Sequence, residues 1–228
     1  MSSPHMSSPN FEQARLAMVN SQLNTSGVVS DAVLAAYRNV PREMFVPADR
    51  KSVCYLDDDV VFADGRFLLE PLVHALMVEK AAIAHKDKVL DIGGYTGYSA
   101  AILSRLAQYV VAVDSDAKAL EFARLAWAEA GVTQTSVVPV CAPLADGCAA
   151  YGLYDVILIN GAVSRVPQMI QDQLAPQGRL LCVEKNSASA TGQIRLYTKQ
   201  GGQLSSIAIA GASVPYLPGF EPVPAFKF

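Results

Sequence analysis

The chain has 228 residues, 51% of them hydrophobic and 17% charged, a balance that suits one globular domain with a large core and excludes a disordered chain. Its 18 basic and 21 acidic residues leave a formal net charge of -3, so the whole chain carries no basic footprint for nucleic acid or an anionic membrane. The four cysteines, Cys54, Cys141, Cys148 and Cys182, form no C-x-x-C pair and read as reduced, structural thiols of a cytoplasmic protein.

Residues 1–9, with the run SSPHMSSP, read as an extension outside the fold, disordered or left by cloning, and carry no secretory leader pattern. The apolar residues from Phe11 to Leu23 fall at helical spacing, and a second helix is expected from Ser30, as N-cap, to Tyr37. Pro41 and Pro47 bracket a turn. Asp57, Asp58, Asp59, Asp64 and Gly65 mark a polar loop, read as solvated rather than metal-binding, before a helix that starts at Pro71 and runs to about Ala82. After His85 the pattern changes: VLDI, YVVAVD, TSVVPVC, YDVILIN and RLLCVE are short apolar runs, each compatible with a strand buried on both faces. Helical stretches at 97–106, 117–130 and 166–174 alternate with them, which predicts a parallel sheet with right-handed crossovers. QIRLYTK and QLSSIAIAG, joined through Gln200, Gly201 and Gly202, predict a closing antiparallel hairpin. The stretch 200–220 lacks charge, but its glycines and prolines break any membrane-spanning helix.

The segment VLDIGGYTGYSAAILSRL places Asp91 at the end of a strand, then Gly93, Gly94 and Gly97 in a turn that enters a helix. Glycines in that position let a ligand approach the backbone. A dinucleotide fingerprint fails, because the later glycine positions counted from Gly93 are Tyr95 and Tyr98. The loop resembles the D-x-G-x-G-x-G turn of class I S-adenosylmethionine methyltransferases, with Tyr95 in place of the middle glycine. An acid such as Asp91 suits a cationic cofactor that has no phosphate. Asp114 ends the next strand, seventeen positions after Gly97 (114 minus 97), close to the ~20-residue offset at which a carboxylate reaches ribose hydroxyls. Asp116 is the better candidate to cap the following helix.

The resemblance widens from there. ARLAMVNSQL, VLAAYRNVPREMFVP, the glycine loop and YDVILINGAVSRVPQMIQDQLAPQGRLLCV together resemble the protein-L-isoaspartate O-methyltransferase family over about Phe11 to Val183, in order and in spacing. It implies one methyltransferase domain over 10–228, with a helical N-terminal extension at 10–84 and a Rossmann-like cofactor-binding sheet at 85–228 that ends in the hairpin. The implied cofactor is S-adenosylmethionine, leaving as S-adenosylhomocysteine. The implied reaction esterifies the free carboxylate of isoaspartyl residues in damaged protein, with no metal, nucleic acid or membrane involved.

Several positions depart from the family pattern. Its G-Q-T-I-S-x-P motif, whose hydroxyls lie at the methyl-acceptor site, corresponds here to Gly65, Arg66, Phe67, Leu68, Leu69, Glu70 and Pro71. Both hydroxyls are replaced by apolar bulk at Phe67 and Leu69. Arg66 reads as a solvated loop arginine, or else as a substitute grip on a substrate carboxylate. Gly-Asp near the adenine becomes Cys141 and Ala142, which leaves the backbone N–H of Ala142 as the donor to the ring. Asn160 and Gly161 replace a small hydroxyl residue and alanine. His74 reads as a helix histidine with one hydrogen bond, and Trp127 as a core or helix-surface residue. The absence of N-P-P-[YF] argues against a nucleobase amine as acceptor. The expected site is thus Asp91, Gly93, Gly94, Gly97, Asp114 and Ala142 for the cofactor, with Arg66, Phe67 and Leu69 at the acceptor. The alternatives are a different acceptor, or a cofactor-binding interaction module without isoaspartyl activity. The tail from Val214 to Phe228, rich in proline and aromatics, is assigned to cover a sheet edge or a partner.

Overall fold

The computed structural model describes residues 10–133, 136–187 and 190–222. Helix α1 (Phe11–Ala17) is capped by the Asn10 side chain, which accepts from the Gln13 N–H, and α2 (Asp31–Asn39) by Ser30, which accepts from the Val33 N–H. The single helix expected over 11–23 is α-helical only to Ala17; Met18–Leu23 is a π-helical turn that buries Met18, Val19 and Leu23. Gly27, at φ 103°, ends this segment in a conformation open to glycine.

The polar segment expected as loop holds a two-stranded antiparallel ladder, β1 (Val60–Val61) with β2 (Phe67–Leu68). Its acids cap the next helix, α3 (Pro71–Ala81): Asp59 accepts from the Glu70 N–H at 2.8 Å and Asp57 from the Leu72 N–H at 3.3 Å. Helix α3 buries Val73, His74, Ala75, Met77, Val78 and Ala81, which is why it reads as apolar all round.

The main sheet follows: β3 (Lys88–Ile92), α4 (Tyr98–Leu103), β4 (Tyr109–Asp114), α5 (Ala117–Glu129), β5 (Val137–Cys141), β6 (Tyr154–Val163), α6 (Gln168–Asp172), β7 (Leu174–Glu184), β8 (Gly192–Gln200) and β9 (Gln203–Ala212). The spatial order is β5-β4-β3-β6-β7-β8-β9, parallel through β7, with β8 and β9 antiparallel. The hairpin turn is Gly201-Gly202, both at positive φ, as a tight two-residue connection requires. Several boundaries differ from the sequence reading; α4, for one, stops at Leu103, short of the helical stretch expected to reach 106. Helix α6 stops at Asp172 and β7 begins at Leu174, five residues before the apolar run. β6 continues through Asn160 and Gly161 to Val163, because β7 pairs Ala162 and Val163 on one edge and Pro215 to Leu217 bond Ala162 on the other.

Strands β4 and β6 leave β3 in opposite directions, so the carboxyl ends of β3 and β6 form the switch point at which open α/β sheets bind ligands. The N-terminal segment is fastened beside this point by Arg42 of the VPREMFVP motif, which is fully buried. It donates to the carbonyls of Cys54 and Leu69, both at 2.7 Å, and its guanidinium lies 4.8 Å from the Tyr98 ring centre. Arg42→Met keeps the bulk and leaves both carbonyls without their donor. It is expected to lower unfolding free energy by about 3 kcal/mol in urea denaturation with an unchanged m-value; a loss below about 1 kcal/mol would show that these bonds do not fasten the segment.

Candidate cofactor site

The site is built on two buried carboxylates at the ends of adjacent strands. Asp91 closes β3 and is 1% exposed. Its Oδ1 accepts from Ser99 Oγ at 2.6 Å and from Asn160 Nδ2 at 2.7 Å, while Oδ2 has no hydrogen-bond partner. Asn160 also donates to the Ile92 carbonyl at 3.0 Å, so this β6 residue, a departure from the family pattern, orients the first acid. Behind Ser99 runs a buried chain. His74 Nε2 is 2.9 Å from Ser99 Oγ, and His74 Nδ1 is 2.5 Å from the Tyr37 hydroxyl. With the Ser99 hydroxyl donating to Asp91, the consistent assignment is Tyr37 O–H to Nδ1 and Nε2–H to Oγ, which requires neutral imidazole. Burial, helped by the Arg42 charge, lowers the His74 pKa to about 3, in keeping with that tautomer. His74 therefore makes two hydrogen bonds, not the one expected, and connects the N-terminal helices to the site.

The glycine turn follows Asp91. Gly93 and Gly97 have φ of 73° and 90°, and Tyr95, at the family's middle glycine, also lies at positive φ, 50°. A Cβ at Gly94 would come 2.7 Å from Asp91 Oδ2, so this glycine exists for the carboxylate as much as for a ligand. Trp127, on α5, donates from Nε1 to the Gly97 carbonyl at 2.8 Å and props the turn from below, a role with no signal in the sequence.

Asp114, closing β4, is 1% exposed and saturated. Oδ1 accepts from Arg66 Nη1 at 2.9 Å and from the Asp116 N–H at 3.1 Å; Oδ2 accepts from Arg66 Nη2 at 2.6 Å and from the Tyr95 N–H at 3.0 Å. A carboxylate offers about four acceptor positions, and all are taken. Arg66 is 8% exposed, so the solvated-loop reading is overturned; it grips a carboxylate, but that of Asp114, with its guanidinium 4.5 Å from the Tyr95 ring centre. The Tyr95 hydroxyl in turn donates to Asp64. Asp116 caps α5 as expected, accepting from the Lys118 and Ala119 N–H groups. The Ala142 N–H, expected to face an adenine ring, bonds the Asp114 carbonyl at 3.1 Å.

The C-terminal segment forms the roof. Leu217, 1% exposed, packs on Gly93 and Gly161 so closely that a Cβ on either glycine would collide with it. Its N–H bonds the Ala162 carbonyl and the Ala162 N–H bonds the Pro215 carbonyl, both at 2.9 Å. Lys185 Nζ donates to the Val214 carbonyl at 2.6 Å and the Tyr216 hydroxyl to the Lys185 carbonyl at 2.8 Å. Residues 214–220 thus form a strap over the switch point that pairs with the edge of β6 at Ala162, and residues 223–228 of the tail lie outside the described residues. Phe67, Leu68 and Leu69 are each 4% exposed and, with Gly93, Gly94, His74 and Asn160, line a cavity of about 10 Å³. A second cavity of about 10 Å³ adjoins Asp91, Gly94, Tyr95 and Asp114.

The polar set suits the nucleoside cofactor implied by the loop, since Asp91 Oδ2 is a buried acceptor without a donor and Asp114 stands at the ribose offset. The space does not yet suit it. Small-molecule sites run to ~300 Å³ or more; here Arg66 bonds Asp114 and Leu217 lies on Gly93.

Burial, opposed by the bonds from Ser99 and Asn160, raises the Asp91 pKa from 3.8 to about 6. The folded carboxyl therefore holds its proton more tightly than the unfolded one between about pH 4 and pH 6, and this group's contribution to stability falls as pH rises through that window. In Asp91→Asn that decline should disappear. The stability difference from wild type should shift in the variant's favour by roughly 3 kcal/mol between about pH 4 and pH 7, measured by urea denaturation. His74 acts in the opposite direction, its contribution being lost as pH falls through about 6.5, and it cancels in the difference.

Among proteins of known sequence and structure, one family model, protein-L-isoaspartate(D-aspartate) O-methyltransferase, matches residues 13–219. A protein-L-isoaspartate O-methyltransferase from Methanoculleus marisnigri is 37% identical over 73% of this chain and 75% of its own length. One from Methylorubrum extorquens is 36% identical over 76% and 75%. A solved structure of a protein-L-isoaspartate O-methyltransferase superposes with TM-score 0.78 at 27% identity, over 92% of this chain and 67% of that one. A Plasmodium falciparum protein, described as a beta-aspartate methyltransferase and crystallised with S-adenosyl-L-homocysteine, shares the fold with TM-score 0.76 at 16% identity, over 92% and 99%. The carboxylate-flanked glycine turn at the switch point is thus set in a family match over residues 13–219: the chain belongs to the protein-L-isoaspartate(D-aspartate) O-methyltransferase family, whose enzymes are S-adenosylmethionine-dependent.

Proposed function

We propose that the chain transfers a methyl group from S-adenosylmethionine to a carboxylate on a protein or peptide, within an acceptor pocket that differs from the family's. The observation that carries this reading is the pair of buried strand-end acids, Asp91 and Asp114, on either side of a turn built on Gly93, Gly94 and Gly97, with Asp91 Oδ2 left as a buried acceptor without a donor. Asp91, Asp114 and the three glycines are the groups assigned to hold the cofactor, the Ala142 N–H being taken by the Asp114 carbonyl. When bound, that group supplies an electrophilic methyl on a sulfonium centre.

The protein's own part is alignment and exclusion of water. An acceptor carboxylate is ionised at neutral pH, so no side chain has to remove a proton from it. This agrees with a His74 that is neutral, buried and bonded at both nitrogens. Phe67 and Leu69 supply a dry wall in place of two hydroxyls. Their cost falls on recognition, because a carboxylate brought to this wall loses two donors. A cytoplasmic setting suits the four free cysteines, and no helix among the described residues is long and apolar enough to cross a membrane.

Transfer of label from methyl-labelled S-adenosylmethionine to an isoaspartyl peptide, beside an aspartyl control, tests the reading. Transfer to neither peptide nor to protein in a cell extract would refute it. A second reading, a different carboxylate acceptor, is favoured by the buried apolar pair itself. Each hydrogen bond to a charged group is worth about 1.5 to 3 kcal/mol. Phe67→Thr with Leu69→Ser is therefore expected to raise kcat/KM for the isoaspartyl peptide by about tenfold or more and to leave the aspartyl control flat. An unchanged kcat/KM would show that the acceptor is recognised elsewhere.

A further inference from the structure

Resting on the cofactor reading above, we propose that this chain holds its own cofactor site shut with two residues: Arg66 takes the acceptor positions of Asp114, Leu217 takes the space over Gly93, and the cofactor enters only by displacing both. The Asp114 carboxylate has four donors, two from Arg66 and two from backbone N–H groups of the surrounding loops. The backbone donors belong to the frame and cannot leave without unfolding the turn, so a ribose hydroxyl gains an acceptor only where Arg66 withdraws. The exchange is unequal, since a forked, charge-assisted pair gives way to neutral hydroxyls. On the other wall, Leu217 covers the backbone of Gly93, and four hydrogen bonds involving Ala162, Lys185, Val214, Pro215, Tyr216 and Leu217 hold the strap that carries it.

The contacts of Arg66 argue for a built feature. Its guanidinium packs on the ring of Tyr95, whose hydroxyl is held by Asp64 and whose other neighbour is Phe62, 5.0 Å between ring centres. Tyr95 and Arg66 are both departures from the family pattern, and they touch each other and one acid. A glycine at position 95 would leave the guanidinium without its platform, and a glutamine at 66 would bring no charge. Arg66 also has somewhere to go: Asp64, on the same turn, is exposed and already accepts the Arg66 backbone N–H at 3.0 Å. Release toward Asp64 uncovers Asp114 without stranding a buried arginine. The apparent affinity for the cofactor is then its intrinsic affinity multiplied by the small fraction of molecules that are open.

Calorimetric titration of the full chain with S-adenosylhomocysteine tests this, with emission of Trp127, the single tryptophan and a donor to the loop, as a second readout. Arg66→Gln and Leu217→Ala are each expected to tighten binding at least tenfold over wild type, and the double variant at least a hundredfold. The ligand-free thermal midpoints of both singles should fall, since each loses closed-state contacts. If the glutamine variant does not fold, Arg66→Lys, which keeps the charge but cannot grip both oxygens, should tighten binding by a smaller factor. A wild type that binds within twofold of the double variant overturns the self-closure and leaves the methyltransferase reading standing. Absence of binding in wild type and double variant alike overturns both.

Discussion

Two carboxylates buried side by side at the ends of neighbouring parallel strands set the constraint around which this molecule is arranged. Asp91 and Asp114 are each 1% exposed, and each would destabilise the fold if left without donors in so dry a place. The protein answers the two demands differently. Asp91 is met by neutral donors, Ser99 and Asn160, and keeps one oxygen unpartnered; burial and the neighbouring Asp114 charge then raise its pKa. Asp114 is met by a cation and two backbone amides. The first arrangement keeps an acceptor in reserve, and the second closes one.

From these two demands the connections to the rest of the fold follow. Ser99 is oriented by His74 and His74 by Tyr37, so the N-terminal helices complete the support of a carboxylate on the first sheet strand. Arg42 fastens the same region to the Leu69 carbonyl, one residue beyond the ladder that carries Phe67 and two before α3. Arg66 joins that ladder to the end of β4. The extension is therefore part of the site's framework, because it supplies Arg66 to Asp114 and the His74–Tyr37 pair behind Ser99, a donor to Asp91.

The positions at which this chain leaves its family's pattern are neighbours in space. Tyr95, Arg66 and Asp114 form one packed group, and Phe67 lies against Gly161 beneath Leu217. Changes that are 29 residues apart in the chain (95 minus 66) make a single physical unit, in which an aromatic ring supports a guanidinium that saturates an acid. Each member of this unit supports the others: without Tyr95 the guanidinium would lie buried on a bare glycine, and without Arg66 a ring held at positive φ would lose its cation.

What the sequence determined by itself is what depends on local pattern. Apolar runs of strand length alternating with helical spacing specified the parallel sheet, Gly201-Gly202 specified the hairpin turn, and the strand-glycine-helix order placed Asp91 and its turn. The spacing to Asp114 marked the second acid, and motif order marked the family. Tertiary structure alone decided the rest, because the deciding partners are distant in the chain and their types are ordinary: a leucine in a proline-rich tail, a tryptophan on a helix, an arginine in a polar turn. Nothing local distinguishes Leu217 from any other buried leucine until the strap pairs with Ala162 and lays it on Gly93. Arg66 reads as solvated for the same reason: the surface is the usual place for an arginine, and the carboxylate that draws it inside is 48 residues away.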